Sequence, residues 1–242
     1  MLTTLRDARA ILIPDLEGKN GPLPPLLLAL TVVTGLIDAY SYLVLGHVFV
    51  ANMTGNVVFM AFSLAGAPGF SLTASLLALL AFAVGALGGG RLGHRAPHHR
   101  GRFLLTAVSL QAVLVLAAFG VGQSTAAPGS GWARFTLIAL LGSAMGLQNS
   151  AARRLAVPDL TTTVLTLTIT GMAADSRGAG GSSAKAGPRL LSASAMFAGA
   201  LAGAALVLHG REQVLLLVIL LVLVGTAAAL FPHRRSDKEW TS

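Results

Sequence analysis

Val48 to Gly66 reads VFVANMTGNVVFMAFSLAG, and the fold turns on whether this stretch crosses a membrane or turns back inside one. It is apolar on average, yet Asn52, Thr54, Gly55 and Asn56 cluster near its start. Such side chains bond the local backbone and weaken a helix interior. Val157 to Ala174, VPDLTTTVLTLTITGMAA, has the same character, with Asp159, Thr161, Thr162 and Thr163 clustered early.

Around these two stretches lie six segments long and apolar enough to span as helices: 24–45, 70–90, 103–121, 133–151, 190–208 and 213–231. Pro24 and Pro25 open the first, where missing N–H groups cost little, and Pro232 closes the last. Of the 242 residues 54% are hydrophobic and 11% charged. A soluble domain carries roughly 25% charged residues, so this composition excludes a water-covered surface. From Asn20 to Gly90 the only formal charge is Asp38. The expected fold class is all-α, a polytopic transmembrane helix bundle. Residues 1–21 read as a polar N-terminal tail without a signal-peptide cleavage site, 22–232 as the transmembrane domain, and 233–242 as a charged C-terminal tail.

The net charge of +8 does not indicate nucleic-acid binding, because no basic face with interleaved aromatics accompanies it. The basic residues sit in short links, where they set orientation. Let both polar stretches enter and leave on one side, with a cytoplasmic N-terminus. Then all of the 17 Lys and Arg residues except Arg134 and Arg211 face the cytoplasm. Topologies in which one or both stretches span distribute the charges more evenly. The positive-inside rule thus selects six spans plus two broken or re-entrant segments, with both termini inside.

The two stretches also share a context. Gly35–Asp38 (GLID) precedes the Asn52 cluster, and Gly146–Asn149 (GLQN) precedes the Asp159 cluster. The span that follows each carries a GxxxG, Gly85 to Gly89 and Gly199 to Gly203, which permits close helix packing. With three spans per half, residues 24–121 and 133–231 form an inverted-topology repeat, an architecture used by transporters.

GLIDA at 35–39, GHVFVANMTGN at 46–56, GLQN at 146–149 and PDLTTT at 158–163 together resemble the YoaK-like bacterial membrane proteins. The resemblance covers residues 24–232. It implies a multi-span inner-membrane protein of uncharacterised function and carries over no substrate, catalytic residue or cofactor.

A charge in hydrocarbon is costly, so Asp38 must face the bundle interior, water or a partner. It is read as an ion or proton site, against the plainer reading of a packing residue. Asn52, Thr54, Gly55 and Asn56, with Asp159, Thr161, Thr162 and Thr163, are candidate pathway residues; the alternative makes Asn52 and Asp159 simple helix caps. Gln148 and Asn149 are read as hydrogen-bonding glue between helices near the interface, and Gly85, Gly89, Gly199 and Gly203 as packing positions. His94, His98 and His99 lie in a basic loop without acidic partners and are read as solvated. No metal site, cofactor or enzymatic motif is expected; there is no cysteine. The expected surroundings are the lipid bilayer and a small solute or ion. A transporter or channel is the first functional expectation, and a non-transporting scaffold or accessory subunit the second.

Overall fold

The computed structural model describes residues 9, 11–95, 99–125, 127–157, 165–174, 186–235 and 238–241. Among them are eight α-helices and no strand: α1 Leu23–Val44, α2 Met53–Leu64, α3 Leu72–Arg95, α4 Arg100–Gln123, α5 Gly131–Leu155, α6 Leu165–Ala174, α7 Ala186–Leu208 and α8 Glu212–Leu230. Two short 3-10 turns, Phe231–Arg235 and Glu239–Thr241, follow α8.

Among the described residues, five helices are long and apolar enough to cross a membrane: α1, α3, α4, α7 and α8. The sixth expected span, 133–151, lies within α5, a helix of 25 residues. Its length of about 37 Å is ample, but Gln148, Asn149 and the arginines at its ends dilute its apolar character. The dilution has a structural reason. α5 packs against α3 and α4 and crosses α1, so its middle is buried in protein and its polar side chains have protein partners. α2 has 12 residues, a rise of about 18 Å, and cannot cross a hydrocarbon core of about 30 Å.

Close approaches between helices fix their directions. Val32 meets Gly199 and Leu36 meets Gly203, so α1 and α7 run parallel. Ser143 meets Gly85 and Leu147 meets Gly89, so α3 and α5 also run parallel. Gln148 donates to the Leu30 carbonyl while Arg134 donates to the Leu45 carbonyl, so α1 and α5 are antiparallel. Gln111 reaches Gln148 and Arg154 lies over the Phe103 ring, so α4 runs against α5. Gln213 at the start of α8 donates to the Gly122 carbonyl near the end of α4, so these two are antiparallel as well.

The close approaches match in pairs. A Cβ at Gly35 would strike the Met196 carbonyl of α7, and one at Gly146 would strike the Phe82 carbonyl of α3. A Cβ at Gly199 would strike the Val32 carbonyl, and one at Gly85 the Ser143 carbonyl. One constant shift in numbering carries Val32, Gly35 and Leu36 onto Ser143, Gly146 and Leu147. A second carries Phe82, Gly85 and Gly89 onto Met196, Gly199 and Gly203. Lipid tails are as apolar as leucine, so helix association here depends on such backbone proximity. The bundle is interlaced: α1 packs with α7 and α8, whereas α5 packs with α3 and α4.

The ends of the bundle are tied by side chains. Arg134 Nε donates to the Leu45 carbonyl at 2.7 Å and Nη2 to the Gly46 carbonyl at 3.3 Å, satisfying orphan carbonyls past the end of α1. At the opposite end Arg100 Nη2 donates to the Leu155 carbonyl at 2.7 Å and closes α5 in the same manner. His99, from the basic loop, accepts from the Arg102 N–H at 3.1 Å and caps α4; His98 lies outside the described residues. Trp240, in the segment read as a charged tail, is fully buried against Gly21 and Gly101.

Gly35→Ala and Gly146→Ala should each destabilise the protein by about 1–3 kcal/mol, since the added methyl meets backbone that cannot move aside. Gly88→Ala and Gly90→Ala meet open space and should cost nothing. Denaturant titration in detergent distinguishes the two pairs.

Candidate functional site

Between α1 and α2 the chain leaves helical geometry. Gly46 has φ +81° and His47 φ +54°, and the backbone then runs irregularly through Val48, Phe49 and Val50 to Asn52. Val48, Val50 and Ala51 are buried. Irregular backbone at membrane depth is tolerated only where protein or a water-filled cavity covers it, because each unbonded peptide group costs several kcal/mol.

Two polar side chains supply the bonds. Asn56, fully buried in the first turns of α2, faces the peptide of Phe49. Its Oδ1 accepts from the Phe49 N–H at 2.9 Å, and its Nδ2 donates to the Phe49 carbonyl at 2.5 Å. Asp38, buried on α1, accepts from the Ala51 N–H through Oδ1 at 3.2 Å. Its Oδ2 is buried with no hydrogen-bond partner among the described residues. One carboxylate oxygen is therefore occupied by the break and the other is free to take a proton, a cation or a solute N–H.

The remaining candidates fall differently. Asn52 precedes α2, but its side chain makes no capping bond and is exposed, as is Thr54. Gly55 is half-buried and lies against the Phe49 ring, where a Cβ would sit 2.7 Å from Cδ2. Asp159, Thr161, Thr162 and Thr163 lie outside the described residues. Asp38 and Asn56 are thus brought onto one short stretch of backbone, while Asn52 and Thr54 face away from it.

Deeper in the bundle lies a second polar knot. Gln148 Nε2 donates to Thr34 Oγ at 2.9 Å and to the Leu30 carbonyl at 3.1 Å, and its Oε1 accepts from Gln111 Nε2 at 2.7 Å. It joins α1, α4 and α5 in the buried interior of the bundle. Asn149 Nδ2 donates to the Met145 carbonyl within its own helix at 2.9 Å. Gln111 escaped the sequence reading, although a single glutamine in an otherwise apolar span was signal enough.

Six rings, Tyr42, His47, Phe49, Phe59, Phe62 and Phe70, form a continuous cluster beside the break, with neighbouring centroids 5.0 to 6.4 Å apart. No motif marked it, because its members come from α1, the break, α2 and the turn before α3.

Asn56→Ala removes both bonds to the Phe49 peptide. Amide exchange at Phe49 and Ala51 should accelerate on the order of tenfold, from the roughly 1–3 kcal/mol lost when buried groups go unpaired. Hydrogen–deuterium exchange of the 45–52 stretch measures this directly.

A family model described as "Protein of unknown function (DUF1275)" matches residues 26–228. The chain is also 31% identical over 156 residues to the UPF0700 transmembrane protein YoaK of Bacillus subtilis (strain 168), covering 63% of this chain and 67% of that protein. No solved structure matches it significantly. The resemblance read from the VFVANMTGN string is borne out, and the apolar helices agree with the transmembrane character of the relative. The chain belongs to the DUF1275 family of proteins of unknown function and is a multi-pass membrane protein.

Proposed function

We propose that the protein is a small-solute or ion transporter or channel of the bacterial inner membrane, with a pathway between two inverted halves. Asp38 carries the reading. Its Oδ2 is a buried acceptor without a partner among the described residues, placed against irregular backbone at the end of a span. Ionisable groups at such depth are expensive and by default mark ion or proton paths.

The architecture in this proposal has six spans, α1, α3, α4, α5, α7 and α8, with α2 and α6 in broken segments. Its support is the pairing of glycine contacts and the alternation of helix direction described above. Both termini are proposed to be cytoplasmic. Arg95 ends α3, Arg100 and Arg102 open α4, and Arg153 and Arg154 end α5, so these charges share one end of the bundle. Arg134 and Arg211 stand at the opposite end. The positive-inside rule places the crowded end in the cytoplasm. The proposal includes no catalytic activity.

A scaffold or accessory role is the second reading. The bond from Ala51 to Asp38 favours it, since a carboxylate that ties down a break has a structural use.

Asp38→Asn keeps an acceptor for Ala51 and removes the ionisable group. It should abolish proton- or cation-coupled flux in proteoliposomes while leaving the protein folded. Equal flux from both forms would remove Asp38 from the mechanism, and silence of the wild type across a broad panel of ions and metabolites would favour the scaffold.

Orientation is tested separately. In this cysteine-free chain, cysteines at Ala127 and His209 should react with an impermeant maleimide added outside intact cells, and one at Arg95 should not. The reverse pattern would invert the topology.

A further inference from the structure

Beside the first turns of α4 lies a groove of about 320 Å³ lined by Arg102, Leu105, Thr106 and Arg234. Among the described residues it is lined by two arginines and no carboxylate. Arg234 is held in place, with Nη1 donating to the Phe231 carbonyl at 3.0 Å and its guanidinium 3.6 Å over the Phe231 ring. Arg102, in the first turn of α4, lines the same groove, and its guanidinium has no acidic partner among the described residues. The Thr106 hydroxyl is already donated to the Arg102 carbonyl, so recognition of an anion rests on the two arginines. Paired guanidinium forks suit phosphate oxygens.

The groove does not stand alone. Below it on the same face of α4, at helical spacing, are Leu110, Val113 and Leu116, exposed by 47%, 61% and 53%. From Thr106 to Leu116 the helix rises about 15 Å, half of the roughly 30 Å hydrocarbon core and the depth of one leaflet. Phe231, 54% exposed, flanks the polar end. A free phosphate would use the arginines and leave the apolar stripe idle, whereas a phospholipid uses both.

We propose that this groove holds the phosphate headgroup of an anionic phospholipid, with an acyl chain laid along Leu110, Val113 and Leu116. The site is independent of the transport reading, since it lies on the outside of the bundle and shares no residue with Asp38 or the break.

The test is native mass spectrometry of the full chain released from detergent, titrated with phosphatidylglycerol or phosphatidylcholine. Wild type should retain phosphatidylglycerol preferentially. Arg102→Gln with Arg234→Gln should weaken that retention on the order of tenfold. Arg102→Lys with Arg234→Lys keeps both charges and guards against misfolding; it should bind at an intermediate level, because ammonium lacks the fork. Arg91→Gln with Arg95→Gln, exposed at the same end but outside the groove, should bind as wild type does. Equal weakening in that control would mean diffuse surface charge and overturn the site. Displacement of the lipid by millimolar inorganic phosphate would overturn the lipid in favour of a free anion. Unchanged retention in both groove variants, or no preference in wild type, would overturn the proposal outright.

Discussion

Every buried peptide group has to be bonded, and the break after α1 is where that requirement bears hardest. A continuous helix bonds its own backbone. Residues 45–52 do not form one, so Arg134, Asn56 and Asp38 bond the carbonyls and amides that the helix gives up. Each of the three comes from a different helix. The break therefore depends on α1, α2 and α5 being in place together, and its geometry is a property of the assembled bundle.

That dependence explains what the sequence revealed and what it hid. The Asn52–Asn56 cluster announced a break because polar and small residues have no reason to gather in a lipid-facing helix. It did not announce which of them turn inward. Asn56 pairs with Phe49, while Asn52 and Thr54 are exposed, and that choice is made by the register of α2. The long apolar segments were legible because crossing a bilayer demands length and apolarity in one continuous run. α5 was read as a sixth such run, yet its composition departs from the other five because its middle is solvated by protein. Gln111 was legible as a lone glutamine in an apolar span, but its pairing with Gln148 was not, and the six-ring cluster stayed hidden because long-range contacts create it. Trp240 did so too, since it lies in a segment read as a charged tail and its burial depends on Gly21 and Gly101 making room for it.

Packing between the helices has little help from the hydrophobic effect inside a bilayer. The structure compensates with glycine. Gly35 and Gly199 bring α1 and α7 to backbone contact, and Gly85 and Gly146 do so for α3 and α5. The Gln148 knot adds direction to these contacts, because it pairs only when α1, α4 and α5 are in register. Small residues set the distance between helices and polar ones set their rotation.

The interlacing of α1 with α7 and α8 has a consequence for how the protein is made. Among the described helices, α1 emerges from the ribosome well before α7 and α8, which cover it. Until the final third of the chain has been synthesised, Gly35 faces lipid in place of Met196. α5 is luckier, since α3 and α4 precede it and await its arrival. Maturation thus has an intrinsic order, with the α3–α4–α5 group closing first, and a ribosome that stalls before α7 leaves behind an α1 whose glycine face is uncovered and whose hold on the bundle is its few bonds to α5.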